Sequence, residues 1–393
     1  MCVDTLFTPA ASQERKYSGF QLFQRVLHDA PAEFVPVLFT QNLVRCLMNQ
    51  LSSQERYLHR AAEKTTMCII GRVKSRPDSR VPILRALLTM PYGDVNFDRI
   101  TKSKTIESLL SQSGHSDFKE LIGFYEELLL KPGIQDEKIA AMRRLVAADQ
   151  LVSAVRNMQL NPTDSGHHHL NETEFLKNVL HLFSRCVYFD LEILADSPSR
   201  PSPPITPSTR DTFRTRISSC LAYLVAKRIA PANLSYDLIH IFHDQKSESE
   251  YGIPLLEADE TVLQVINRAW EIVEEANLVS EAKSSDSTKK EYYRSIKLLY
   301  SLTILQVYNA DADAVGVLEE LNDCFEGLLH KKKIDNVSNT LVEILLSFAS
   351  KQSQLFRRLT QQVFTVYAPD VDEMGLQSMV KVCDLLFRWS NRC

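Results

Sequence analysis

The segment Tyr92-Gly93-Asp94-Val95-Asn96-Phe97 is where this sequence comes nearest to metal chemistry. A turn that presents two carboxylates two residues apart can hold the divalent ions that drive phosphoryl transfer. Here the second position is Asn96, and a neutral amide is a poor substitute for a charged ligand to a hard cation. The flanking apolar spacing is helical and no second carboxylate motif of this kind occurs, so an interhelical turn is expected, with no metal and no catalytic residue. His167, His168 and His169 carry imidazoles suited to zinc or nickel, but adjacent side chains cannot all face one ion, and a solvated loop over 161–171 is the reading. His240 and His243 share a helical face at i and i+3 and have no third ligand in the sequence. There is no Gly-x-Ser-x-Gly elbow, no phosphate-binding Gly-Lys-Ser/Thr loop and no dinucleotide glycine fingerprint. No enzyme activity, cofactor or small-molecule substrate is therefore expected.

Charge offers a different chemistry. From Arg45 to Lys104 there are twelve Lys/Arg against five Asp/Glu, whereas Leu234 to Glu281 holds eleven acids against Lys246 and Arg268. The whole chain has a formal charge of -4, so these opposite local fields cancel in the total and only a segment suits a polyanion. Arg56, Arg60 and Lys64 fall at i, i+4 and i+8 and are expected to form a cationic stripe on one helix; Arg72, Lys74, Arg76 and Arg80 cluster at the following turn, and Lys102 and Lys104 lie further on. Such a set would neutralise phosphates in a sequence-neutral, salt-sensitive way. The competing reading is an ordinary solvated helix face, because stacking aromatics are scarce in the segment.

These residues must be positioned by helices. Glycine makes up only 11 of 393 residues, about 3% against a usual ~7%, which starves sheets and phosphate-binding loops of the turns they need. Apolar residues recur at helical spacing: Leu58, Ala61, Ala62, Thr65, Ile69 and Val73 form one stripe over 54–75, and Ile334, Val337, Leu341, Ile344, Leu345 and Phe348 another over 334–349. Further helices are expected over 33–51, 79–89, 103–113, 171–194, 211–229, 234–244 and 289–309, with prolines between or near their starts. Short links force antiparallel neighbours, and pairs spaced about 40 residues apart predict an all-α HEAT/armadillo-like helical-repeat solenoid. A Pro/Ser/Thr-rich stretch over 195–212 is expected to be a flexible, disordered linker between an N-terminal array (1–194) and a C-terminal one (213–393). It carries Ser197-Pro198, Ser202-Pro203 and Thr206-Pro207, steps at which phosphate would change the local charge.

Hydrophobic residues at 44% and charged residues at 24% are ordinary for a folded chain with a core. The eight cysteines are scattered without a Cys-x-x-Cys pair, which fits reduced thiols in cytosol or nucleus. No run of 18 apolar residues predicts a membrane span.

Longer strings carry a resemblance. Gly19-Phe-Gln-Leu-Phe-Gln-Arg-Val-Leu27, Leu43-Val-Arg-Cys-Leu-Met-Asn-Gln-Leu-Ser-Ser53, Arg56-Tyr-Leu-His-Arg-Ala61, Asn96-Phe-Asp-Arg-Ile-Thr-Lys-Ser-Lys-Thr105 and Leu341-Val-Glu-Ile-Leu-Leu-Ser347, with Phe356-Arg-Arg-Leu359 and Gln362-Val-Phe364, resemble the DNA polymerase phi and Myb-binding protein 1A family in its fungal form. The resemblance runs from about Gly19 to Val382 and implies that the chain corresponds to the central part of a longer protein. It implies a nuclear, nucleolar helical-repeat protein that associates with ribosomal DNA or pre-ribosomal RNA and protein particles, promotes ribosomal RNA production and ribosome assembly, and in some members regulates transcription with other nuclear proteins. Two other readings compete: a DNA-directed DNA polymerase, which needs two carboxylates converging on metal, and a nuclear transport-type solenoid adaptor.

Overall fold

The computed structural model describes residues 2–111, 118–157, 167–192, 200–243, 252–282, 286–330, 337–351, 353–371 and 373–380. These residues are almost entirely helical and divide into two compact units, Met1–Val187 with Leu191–Arg216, and Tyr188–Asp190 with Ile217–Cys393.

The first unit contains α1 (Cys2–Leu6), α2 (Gln13–Asp29), α3 (Val35–Leu38), α4 (Gln41–Leu51), α5 (His59–Ser75), α6 (Arg80–Leu88), α7 (Phe97–Thr101), α8 (Thr105–Ser111), α9 (Phe118–Leu130), α10 (Glu137–Asn157) and most of α11 (His167–Tyr188). Ser12 starts α2 by accepting the Arg15 amide at 3.3 Å, an N-cap that satisfies one orphan donor. Phe7 packs edge-on against Phe20 and Phe23 against Phe39, with ring centroids 4.9 and 5.3 Å apart, which gives this end of the core directional aromatic contacts. The expected single helix over 33–51 is broken: α3 ends at Leu38, and Thr40, in extended backbone, restarts the chain as α4. The stripe Ala62, Thr65, Ile69, Val73 is buried on α5 as its spacing predicts, and the helix packs against α2 and α4.

In the second unit α13 (Pro231–His243), α14 (Glu260–Glu281), α15 (Ser287–Tyr308), α16 (Ala314–His330), α17 (Val337–Ser350) and α18 (Gln354–Tyr367) follow one another, and residues 373–380 are again helical. Every residue of α15 from Ser295 to Val307 is buried, and α13, α14, α16 and α18 all pack on it. A helix rich in apolar residues on every face belongs inside, and from Ile296 to Val307 only Lys297, Ser301, Thr303 and Gln306 interrupt the apolar run. Asp286 and Asp259 cap α15 and α14 by accepting the amides of Lys289 and Val262 at 3.0 and 2.9 Å. A two-residue antiparallel ladder pairs Phe189 with Pro254 and Asp190 with Ile253.

The boundary between the units falls inside α12 (Pro207–Lys227). Residues 193–199 lie outside the described residues. Residues 200–212, expected as part of an extended linker, are instead ordered: Pro201, Pro203, Ile205 and Thr209 are buried, and the Ser202 amide donates to the Leu130 carbonyl at 2.8 Å. The reason is Arg144. Its fully buried guanidinium donates to the carbonyls of Leu129 at 2.8 Å, Pro204 at 2.9 Å and Pro203. Proline has no amide N–H and a proline string forms no helix or ladder of its own, so its carbonyls are available acceptors for a buried arginine that would otherwise be costly.

Candidate nucleic-acid interface

The nine cations that spacing singled out separate into two groups. Arg56, Arg60, Lys64, Lys74, Arg76, Lys102 and Lys104 are exposed. Arg72 and Arg80 are not: Arg72 is 4% exposed and Arg80 fully buried, so neither can meet a partner. Arg72 donates from Nη2 to the Ala30 carbonyl at 2.6 Å, from Nη1 to the His28 carbonyl at 2.9 Å and from Nε to Ser79 Oγ at 3.0 Å. It closes the C-terminal end of α2 against the start of α6, and burial pulls its pKa below the ordinary arginine value. The signal was in the sequence: Arg72 continues the buried series Ala62, Thr65, Ile69, and Arg80 lies three and four residues before Ile83 and Leu84, on the inner face of α6.

Arg56 also departs from expectation. It belongs to the turn 52–58 that precedes α5, so the cationic stripe on the helix consists of Arg60, Lys64 and Lys74. Between this turn, one flank of α5 and the turn at 101–105 lies a groove of about 640 Å³. His59, Glu63 and Met67 line the α5 wall, Glu55 the end, and Lys102 and Lys104 the opposite wall. Its charge is therefore mixed, while the outer face of α5 is basic.

The string Asn96 to Thr105 builds that opposite wall. Asp98 reaches from α7 to accept the amides of Ile106 at 3.0 Å and Glu107 at 3.1 Å and the Ser103 hydroxyl at 3.3 Å, which caps α8. Burial pushes its carboxyl pKa up, and those hydrogen bonds oppose the shift. Thr101, Ser103 and Thr105 share hydroxyl contacts of 2.8 and 2.9 Å, and Lys102 takes left-handed backbone with φ of 53°. The turn that holds Lys102 and Lys104 at the groove is thus fixed at several points.

The carboxylate considered for metal is occupied otherwise. Asp94 Oδ1 accepts the Asn96 amide at 2.8 Å and Asn96 Nδ2 at 3.2 Å, and the Asp94 amide donates to the Leu87 carbonyl at 2.9 Å. Gly93 is demanded by the same turn: a Cβ there would lie 2.4 Å from the Leu87 carbonyl. His167, His168 and His169 begin α11 instead of forming a loop, and residues 158–166 lie outside the described residues. His240 meets the buried Trp270 edge-on and His243 lies tilted against it, with ring centroids 6.1 and 4.7 Å away, an aromatic cluster. Among the described residues no three His, Cys, Asp or Glu side chains are grouped to hold a metal, and no helix is long and apolar enough to cross a membrane.

No solved structure matches the chain. It is 26% identical over 400 residues to the rDNA transcriptional regulator pol5 of Schizosaccharomyces pombe, covering 97% of this chain and 40% of that protein. It is 24% identical over 408 residues to the rDNA transcriptional regulator POL5 of Saccharomyces cerevisiae, covering 100% of this chain and 35% of that protein. The chain thus spans well under half the length of these relatives. The model of the DNA polymerase phi family matches residues 1–385, and with that match over nearly its whole length the chain belongs to this family.

Proposed function

We propose that the chain is a non-enzymatic scaffold segment that acts in ribosomal RNA synthesis in the nucleus, at the nucleolus, by associating with ribosomal DNA or pre-ribosomal particles through the first unit. The observation that carries this reading is the exposed set Arg56, Arg60, Lys64, Lys74, Arg76, Lys102 and Lys104, gathered on α5 and the turns beside it. These cations supply the sequence-independent electrostatic term of nucleic-acid binding. The relatives named as rDNA transcriptional regulators support the same partner class.

The helices are further read as HEAT/armadillo-like pairs stacked into two solenoid arrays, one on each side of residues 195–212. The packing of α14 on α15, α15 on α16, α16 on α17 and α17 on α18 supports that stacking. The mechanism is surface binding. Crosslinking of the tagged chain in cells, with bound DNA, RNA and protein identified together, tests it: enrichment of ribosomal DNA or pre-ribosomal RNA is expected, and enrichment of neither refutes the reading.

A further inference from the structure

Gly71, Gly123 and Gly316 each lie within a helix, at positions where an added Cβ would meet nothing within 4 Å. A glycine inside a helix weakens it relative to alanine through backbone entropy, and at these three positions packing does not ask for it. Their surroundings differ. Gly123 sits among exposed Lys119, Glu120 and Glu127, and Gly316 among exposed Asp313, Glu319 and Glu320. Gly71 alone of the three lies in a cationic series: Arg60, Lys64, Met67, Gly71 and Lys74 follow at steps of four, three, four and three, so they share one outward stripe of α5. All five are exposed, Met67 by 62%. None of Arg60, Lys64 and Lys74 is held by an acid among the described residues.

We propose that this stripe docks the phosphate backbone of duplex DNA and that Gly71 is the point of closest approach, an inference that rests on the nucleic-acid reading above. The stripe spans fourteen residue steps of helix, about 21 Å at 1.5 Å per residue, or about six base-pair steps of duplex at 3.4 Å each. The stripe carries no aromatic side chain, whereas single strands are held in grooves with stacking platforms. Lys64 and Lys74 flank the gap left by Gly71, so a phosphodiester lowered onto the bare Cα at that point brings its neighbours within reach of both ammonium groups. Met67 supplies a flexible apolar contact for a sugar face. The missing methyl group thus sacrifices helix stability at the one open glycine of the three where a backbone of opposite charge is expected to rest.

The test uses the full chain, a labelled mixed-sequence DNA duplex titrated at several salt concentrations, and a single-stranded RNA of equal length as the second probe. Gly71→Ala, Gly71→Leu, Gly123→Ala and Gly316→Ala are compared with the triple change Arg60→Gln, Lys64→Gln, Lys74→Gln. Each alanine variant is expected to raise Tm by roughly 1–3 °C. Only the Gly71 variants should weaken duplex binding, Gly71→Leu by on the order of tenfold and more than Gly71→Ala. The triple change should lower the slope of log K against log salt by about 2.7, at about 0.9 per lost phosphate contact. Wild-type duplex binding by Gly71→Leu, with the triple change weakened, overturns the close approach and leaves the nucleic-acid reading standing. Wild-type binding by both sets removes the stripe from that reading. A lower Tm in Gly71→Leu contradicts the open position, and a Gly71→Leu loss confined to the single-stranded RNA overturns the choice of duplex.

Discussion

Arg72 and Arg60 stand twelve residues apart on the same helix of the same basic segment, and the structure gives them opposite tasks. Replacing Arg72 with alanine removes one charged donor that serves three acceptors, the Ala30 and His28 carbonyls and Ser79 Oγ. The serine hydroxyl can turn to another partner, but the two carbonyls belong to the end of α2 and its exit, and the one at Ala30 is buried. At about 1–3 kcal/mol for a buried acceptor left unsatisfied, losing the partner of the Ala30 carbonyl costs about 1–3 kcal/mol, while the His28 carbonyl, on an exposed residue, can turn to water; that is a large share of a marginal stability. Arg60→Ala, on the exposed face, should change stability by less than about 0.5 kcal/mol and lower the salt slope of nucleic-acid binding by about 0.9. Urea unfolding and salt-dependent duplex titration of both variants provide the measurements. An Arg72→Ala protein with the wild-type unfolding midpoint, or one that loses binding while keeping its stability, refutes the assignment of Arg72 to the core.

Lys297 offers a pH-dependent counterpart in the second unit. Its ammonium is buried against Asn233 Oδ1 at 2.6 Å, Asn277 Oδ1 at 3.0 Å and Glu281 Oε1 at 3.5 Å, and burial lowers its pKa from the ordinary 10.5 while Glu281 opposes the shift. Because the unfolded chain then binds the proton more tightly, the unfolding free energy of the wild type minus that of Lys297→Met should rise with pH from the lowered value up to 10.5, and a flat difference would speak against it. Asp98→Ala should cost about 0.5–2 kcal/mol as a lost cap and speed hydrogen exchange at the Ile106 and Glu107 amides; unchanged exchange there would remove Asp98 from the cap. Gly93→Ala would place a methyl group 2.4 Å from backbone at Leu87, and a loss of at least about 1–3 kcal/mol from overpacking is expected in thermal unfolding; a wild-type Tm would show that the turn can open.

Periodicity located most helices because helix burial repeats every three to four residues and the apolar stripes are long. Ala62, Thr65, Ile69 and Val73 on α5, and Leu341, Ile344, Leu345 and Phe348 on α17, are buried as their spacing requires. Their ends were less legible. Arg56 lies outside α5 because the helix begins only at His59, where the Leu58 amide takes no helical role and is tied to Gln50 Oε1 at 3.2 Å. That bond joins residues eight apart around a turn, and no propensity of Arg56 itself announces it. The motif at Tyr92 was legible for the opposite reason: a Gly-Asp-x-Asn string encodes its own turn through one side chain and one missing Cβ.

Net charge is a property of the sequence, but a field belongs to the surface, and the two diverge wherever an arginine is used as a structural donor. Arg72, Arg80 and Arg144 together show how this chain does it: long cationic side chains are turned inward, and Arg72 and Arg144 serve backbone carbonyls at a helix end or along the proline string at 203–204. An arginine suits this use because its planar guanidinium can bridge several carbonyls at once and stays charged even when burial lowers its pKa. Counting every Lys and Arg between 45 and 104 therefore overstates the interface. The lysines of the segment, Lys64, Lys74, Lys102 and Lys104, lack that planar fork and all remain on the surface. In this unit the lysine positions trace the outward field more faithfully than the total charge, and they converge on α5 and the turn at 101–105.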